Sequence, residues 1–108
     1  MVYELRIYTP VPGRMPDLLR RFQQHTLGIW ARLGICHAGF WRTHPKVDGD
    51  QLVYMLVWNT LEEREALWAA FVSDSEWIAA KQESEIPGPL VVNITSSLLA
   101  SHLFSAVT

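Results

Sequence analysis

The 108-residue sequence predicts an α+β fold of β-α-β-β-α-β order, an antiparallel sheet with its helices on one face. Three observations predict it. Apolar residues alternate in four stretches and recur at helical spacing in two others. Proline- and glycine-rich punctuation separates them. Two of the strand-like stretches are apolar on both faces, while the chain holds helix enough to cover one. The clearest is Leu52-Val53-Tyr54-Met55-Leu56-Val57-Trp58. Alternate side chains of a strand point to opposite faces, so both faces of this one need cover. The expected cover for the second face is another copy of the chain, giving a homodimer joined through its sheet faces.

Each element has its own signal. Val2 to Thr9 alternates and is rich in β-formers, and Pro10-Val11-Pro12-Gly13 ends it. Helix one is expected from Arg14 or Met15 to Leu33. Met15, Leu18, Leu19, Phe22, Ile29, Trp30 and Leu33 form its apolar stripe. Pro16 suits the first turn and Gly34 the terminus. Ile35 to Thr43 reads as strand two and His44 to Asp50 as a hairpin loop. Strand three ends near Asn59. Thr60-Leu61-Glu62-Glu63 then reads as a capping box opening helix two, which runs to about Val72. Ser73-Asp74-Ser75 breaks it, and Glu76-Trp77 starts a further helical piece to about Glu83. Pro87-Gly88-Pro89 is a stop. Leu90 to about Phe104 reads as a long last strand, with Val92, Ile94, Leu98, Ala100 and Phe104 on one face. This order is the ferredoxin-like arrangement.

Composition narrows the function classes. The length suits one domain, residues 1–108, and 49% apolar content excludes disorder. A net charge of −2 without long charge runs argues against nucleic-acid binding. Cys36 is the only cysteine, so no internal disulfide forms and a reducing compartment fits. The opening residues lack the pattern of a signal peptide, and the longest apolar run falls far short of the ~20 residues of a spanning helix. A cytoplasmic location without membrane insertion is the resulting expectation.

Several motifs together resemble the NIPSNAP family of the dimeric α+β barrel superfamily. They are Tyr3-Glu4-Leu5-Arg6-Ile7-Tyr8-Thr9 with Pro12-Gly13, His25, Gly39-Phe40-Trp41, Trp58, Glu63-Arg64, and Asp74-Ser75-Glu76-Trp77. The chain departs from the family pattern at Ser75 and Gly28, where proline is common. The resemblance covers essentially the whole chain. It implies a ferredoxin-like fold and a dimer more than an activity. The wider superfamily includes cofactor-free monooxygenases, cyclases, isomerases and haem-binding enzymes. Animal members of the family proper are linked to mitochondria and vesicle handling as scaffolds.

Three residues are candidates for catalysis: His25, Arg6 and Arg64. His25 lies three residues after Phe22 and four before Ile29, inside the apolar stripe, so its ring is expected to face the sheet. There a neutral imidazole would serve as general acid or base. Arg6 shares a strand face with Glu4 and Tyr8, and a covered guanidinium must be paired or hold a polar ligand. Arg64 stands at the inner edge of helix two, near Leu61 and Trp68. Glu4, Tyr8, Trp41 and Trp58 are candidates for contacting a ligand. The bland alternatives are a core histidine, a Glu4–Arg6 ion pair, an Arg64 pair with Glu62, Glu63 or Glu65, and aromatics that merely fill the core. His37, His44 and His102 have no ligand spacing with Cys36, so no metal site is expected, and no cofactor. Haem held by His25 is a weaker alternative. The expected function is binding of an apolar or aromatic small molecule between sheet and helices. A cofactor-independent monooxygenase- or isomerase-like activity is the enzymatic form of this expectation; the rival is a non-catalytic dimeric interaction or scaffold module.

Overall fold

A computed structural model of the chain describes residues 1–44 and 49–101. Residues 45–48 of the expected hairpin loop lie outside the described residues, as do His102 and Phe104. The strands are β1 (Val2–Pro10), β2 (Cys36–Arg42), β3 (Leu52–Trp58) and β4 (Val91–Ala100). All pairings are antiparallel, in the order β2-β3-β1-β4. The helices are α1 (Met15–Arg21) and α2 (Leu27–Leu33), joined by a π-helical turn over Phe22–Thr26, then α3 (Leu61–Val72) and α4 (Ser75–Ser84). This is the ferredoxin-like arrangement, with helices packed on one face of the sheet.

The alternation in β3 resolves the two faces. Leu52, Tyr54, Leu56 and Trp58 are buried beneath the helices, while Val53, Met55 and Val57 are half-buried on the open face. The register carries this across the sheet. Tyr3, Leu5 and Ile7 pair with Val57, Met55 and Val53, and so lie on the open face. Trp41 pairs with Val53 and joins them there, 54% exposed. Its ring lies across Gly39, where a Cβ would come within 2.8 Å of it, so glycine is needed for that fold-over.

Beneath the helices the core is aromatic. Phe22 meets Tyr8, Trp30, Phe40 and Tyr54 at centroid distances of 5.4–5.8 Å. Edge-to-face contacts of this kind stabilise beyond the area they bury. The helix ends follow the local signals. Gly34 adopts the left-handed conformation and stops α2. Thr60 accepts from the Glu63 N–H, as a capping box requires. The reciprocal arm differs: the Glu63 carboxylate accepts from the Asn59 backbone N–H, one residue earlier. Asp74 caps α4, accepting from Glu76 and Trp77, so the helix begins at Ser75 rather than Glu76.

Helix one is not uniform. The π-helical turn at Phe22–Thr26 replaces the regular α-helix expected there. Its wider turn takes an extra residue, so Phe22, Thr26 and Ile29 point inward and His25 does not.

Candidate functional site

Alternation along β1 puts Glu4, Arg6 and Tyr8 on the helix-covered face, and all three are buried. The sheet alone would leave two charges in an apolar layer. They are satisfied because β3, β4 and α3 each bring a partner.

Glu4 is the hub. Its Oε1 accepts from Trp58 Nε1 at 3.0 Å and from Arg64 Nε at 2.7 Å. Its Oε2 accepts from Arg6 Nη1 at 3.1 Å, Arg64 Nη2 at 3.1 Å and Ser96 Oγ at 2.6 Å. Burial by itself pushes the Glu4 pKa up. The hydrogen bonds from Arg64, Ser96 and Trp58, with the charge of Arg64, outweigh it and hold the carboxyl at about 2.

Arg6 is equally engaged. Its Nε donates to Tyr54 Oη at 2.8 Å and its Nη2 to Tyr8 Oη at 3.4 Å. Tyr54 Oη in turn donates to Tyr8 Oη at 3.0 Å. The Trp68 ring of α3 closes over the guanidinium at 4.5 Å, an ideal distance for a cation on an aromatic face. Arg6 therefore stays charged, and burial raises the pKa of Tyr54 well above that of a free phenol, with Tyr8 adding to the rise and Arg6 opposing it.

The cluster nears the surface at Arg64 and along β4. Opposite Tyr8, Arg6 and Glu4, strand β4 presents Ile94, Ser96 and Leu98 on the same face. Ile94 is 43% and Leu98 49% exposed. These side chains form an apolar shelf on the helix side of the sheet. It borders Arg64, whose side chain keeps 18% exposure and also donates to Glu65 at the rim. Two guanidiniums share the buried Glu4 carboxylate, and Glu65 at the rim gives Arg64 a second, exposed counter-charge.

Of the residues expected to matter, the structure thus brings together Glu4, Arg6, Tyr8, Trp58 and Arg64. It does not bring His25 to them. That residue stands on the outer side of the helix, half exposed, with Nδ1 3.2 Å from Glu76 Oε2 of α4. The extra residue of the π turn rotates it out of the stripe, and Thr26 takes the inward position. Trp41 is also elsewhere, on the opposite face of the sheet. Three members were not foreseen. Tyr54 and Ser96 are the cross-strand partners of Arg6, visible once the register of β3 and β4 is known. Trp68 lies four residues after Arg64, hence on the same helix face. Among the described residues no three His, Cys, Asp or Glu side chains cluster as a metal site would need, and no helix is long and apolar enough to cross a membrane.

The NIPSNAP family model matches residues 3–106. The chain belongs to the NIPSNAP family. In three dimensions this NIPSNAP domain is similar to a NIPSNAP family protein from Agrobacterium tumefaciens. The two are 20% identical, covering 99% of this chain and 98% of the other with a TM-score of 0.85. It is also similar to an uncharacterised NIPSNAP domain protein from Burkholderia xenovorans, 23% identical over 97% of this chain and 98% of the other, with a TM-score of 0.81. A looser likeness, at a TM-score of 0.62, links it to a MhuD variant with two manganese protoporphyrin IX bound per active site. That pair is 19% identical, over 98% of this chain and 99% of the other. No curated protein matches this chain in sequence. At these identities the structural likeness establishes the fold, and the function must be argued from the site.

Proposed function

We propose that this NIPSNAP domain is a homodimer that binds a small molecule with an apolar or aromatic body and an anionic head group. The body would lie on Ile94 and Leu98, and the head group would meet Arg64. The observation that carries this reading is the apolar shelf of β4 beside Arg64, the part-exposed cation of the cluster, whose outer counter-charge Glu65 is exposed and displaceable. An exposed apolar row beside a convergent cationic group is the usual composition of a ligand site. Trp68 supplies an aromatic wall, Trp58 holds Glu4 from within the core, and Arg6 with Glu4 fixes the guanidinium of Arg64 in place.

Binding is favoured over acid–base turnover. Glu4 accepts five hydrogen bonds, and a carboxyl held at about 2 is a weak proton acceptor at neutral pH. His25, the residue best suited to proton transfer, points away. The open sheet face supports the dimer. Leu5, Ile7, Val53, Met55 and Trp41 form a continuous apolar surface there, of the kind that obligate partners bury.

Titration with naphthoate, read by tryptophan fluorescence, tests the binding reading. Saturable binding should weaken by about tenfold in Arg64→Gln, the loss of one charge-assisted contact. It should weaken similarly in Leu98→Asp, an exposed substitution that leaves the core intact. Equal affinity in the parent and both variants, or no binding at all, would refute it.

A further inference from the structure

A cleft of about 250 Å³ opens between α1, the π-helical turn and the C-terminal half of α4. Arg21 lines it and is 6% exposed. No carboxylate pairs with this guanidinium among the described residues. Among the described residues its hydrogen bond runs from Nη1 to Ser84 Oγ at 3.2 Å, and Trp77 lies under it at 4.9 Å. Its Nε is buried with no partner. Glu85 acts on Arg21 only at a distance and is bound to Lys81 at 2.7 Å, and Glu83 lines the cleft without an ion pair to Arg21. Asp17 accepts from both Arg14, at 2.8 Å, and Arg20, at 2.9 Å. Arg14 spends its other nitrogens on the Ser84 and Gly88 carbonyls. His25 pairs with Glu76. Counting Asp17 and Glu83 against Arg14, Arg20 and Arg21, the lining carries three positive and two negative charges.

A buried charge is normally paired, because leaving water costs it far more than a single neutral hydrogen bond returns. Burial pushes the Arg21 pKa down, yet an arginine stays protonated at neutral pH. The π turn adds a second pointer. Such turns are rare and favour functional sites, and this one presents Gln24 and His25 at the cleft.

We propose that the cleft is an oxyanion site, in which a carboxylate or phosphate group docks on Arg21 with Arg20 and Gln24 at its mouth. The oxyanion supplies the counter-charge to the guanidinium, whose remaining exposed edge meets the cleft. The cleft shares no lining residue with the β4 shelf, so the two can be tested separately.

The test is a titration of the full chain with inorganic phosphate and, separately, sodium acetate at constant ionic strength, followed by the 1H–15N resonance of Arg21 Nε. A saturable shift with phosphate alone assigns a phosphoryl group, and with acetate alone a carboxylate. A shift with both assigns a general oxyanion site. Gln24→Glu changes a solvent-facing side chain, so the fold should persist. It should weaken binding by at least about tenfold through like-charge repulsion. An Arg21 resonance that moves with neither anion, or equal binding by folded Gln24→Glu, would overturn the proposal.

Discussion

Arg64 and Glu4, sixty positions apart in sequence, meet in a forked ion pair: Nε to Oε1 at 2.7 Å and Nη2 to Oε2 at 3.1 Å. The pair ties α3 to the central strand β1. A fork of this geometry fixes both distance and orientation, which a single contact would not. Its consequences are measurable.

The first is acid sensitivity. Glu4 titrates at about 2 in the fold and near 4.5 when unfolded. A folded pKa below the unfolded one gives stability that is fully present above 4.5 and is lost as pH falls toward 2. The difference corresponds to on the order of 3 kcal/mol. Ser96→Ala removes one donor to Oε2 without touching the core. Its acid-unfolding midpoint should lie at higher pH than that of the parent. Identical acid midpoints would mean that the Ser96 contact contributes nothing.

Removing the hub should be more damaging than removing a spoke. Glu4→Gln leaves the buried Arg6 without a counter-charge and Arg64 with only the exposed Glu65, and should cost about 3–5 kcal/mol, the range for breaking a buried pair. Combined with Arg64→Gln, the loss should fall short of the sum of the single losses, as for side chains in direct contact. Additive losses in urea unfolding would argue that the two do not share one network.

Trp58 and Met55 separate the two faces of β3. Trp58 is 1% exposed and donates to Glu4, so Trp58→Ala should cost about 3–5 kcal/mol of monomer stability. Met55 is half-buried on the open face. Met55→Ala should weaken the dimer, seen as faster dissociation on dilution in sedimentation velocity, while the Trp58 variant keeps its dimer affinity where folded. A parent protein that is a stable monomer at micromolar concentration would contradict the sheet-face dimer.

How far the sequence reaches is clear from particular residues. The alternation from Leu52 to Trp58 places the two faces of the sheet, and Gly34, Thr60 and Pro87 mark element ends, because these signals are local. The charged pair Glu4 and Arg6 is legible for the same reason: their spacing of two puts them on one face. Their partners are not. Tyr54 and Ser96 reach Arg6 and Glu4 through strand register, a long-range property that periodicity does not carry. His25 is misplaced by a subtler effect. Counting 3.6 residues per turn from Phe22 sends it inward, but the π turn inserts a residue and Thr26 goes in instead. No sequence pattern at Phe22–Thr26 announces that insertion.

The outward position of His25 has its own test. Its contact with Glu76 is half exposed, and exposed pairs contribute little. His25→Ala should therefore change stability by less than about 1 kcal/mol. It should leave naphthoate affinity untouched. A large loss of that affinity would place His25 in the binding machinery after all.

The central claim is that the ligand lies between α3 and β4, held by Arg64. The most direct measurement is a 1H–15N map of the folded domain titrated with naphthoate. The shifts should concentrate at Ile94, Ser96 and Leu98, at the Nε of Arg64 and at the indole of Trp68. Shifts centred on Trp41 and Met55 of the open face, or no saturable shifts at all, would contradict it.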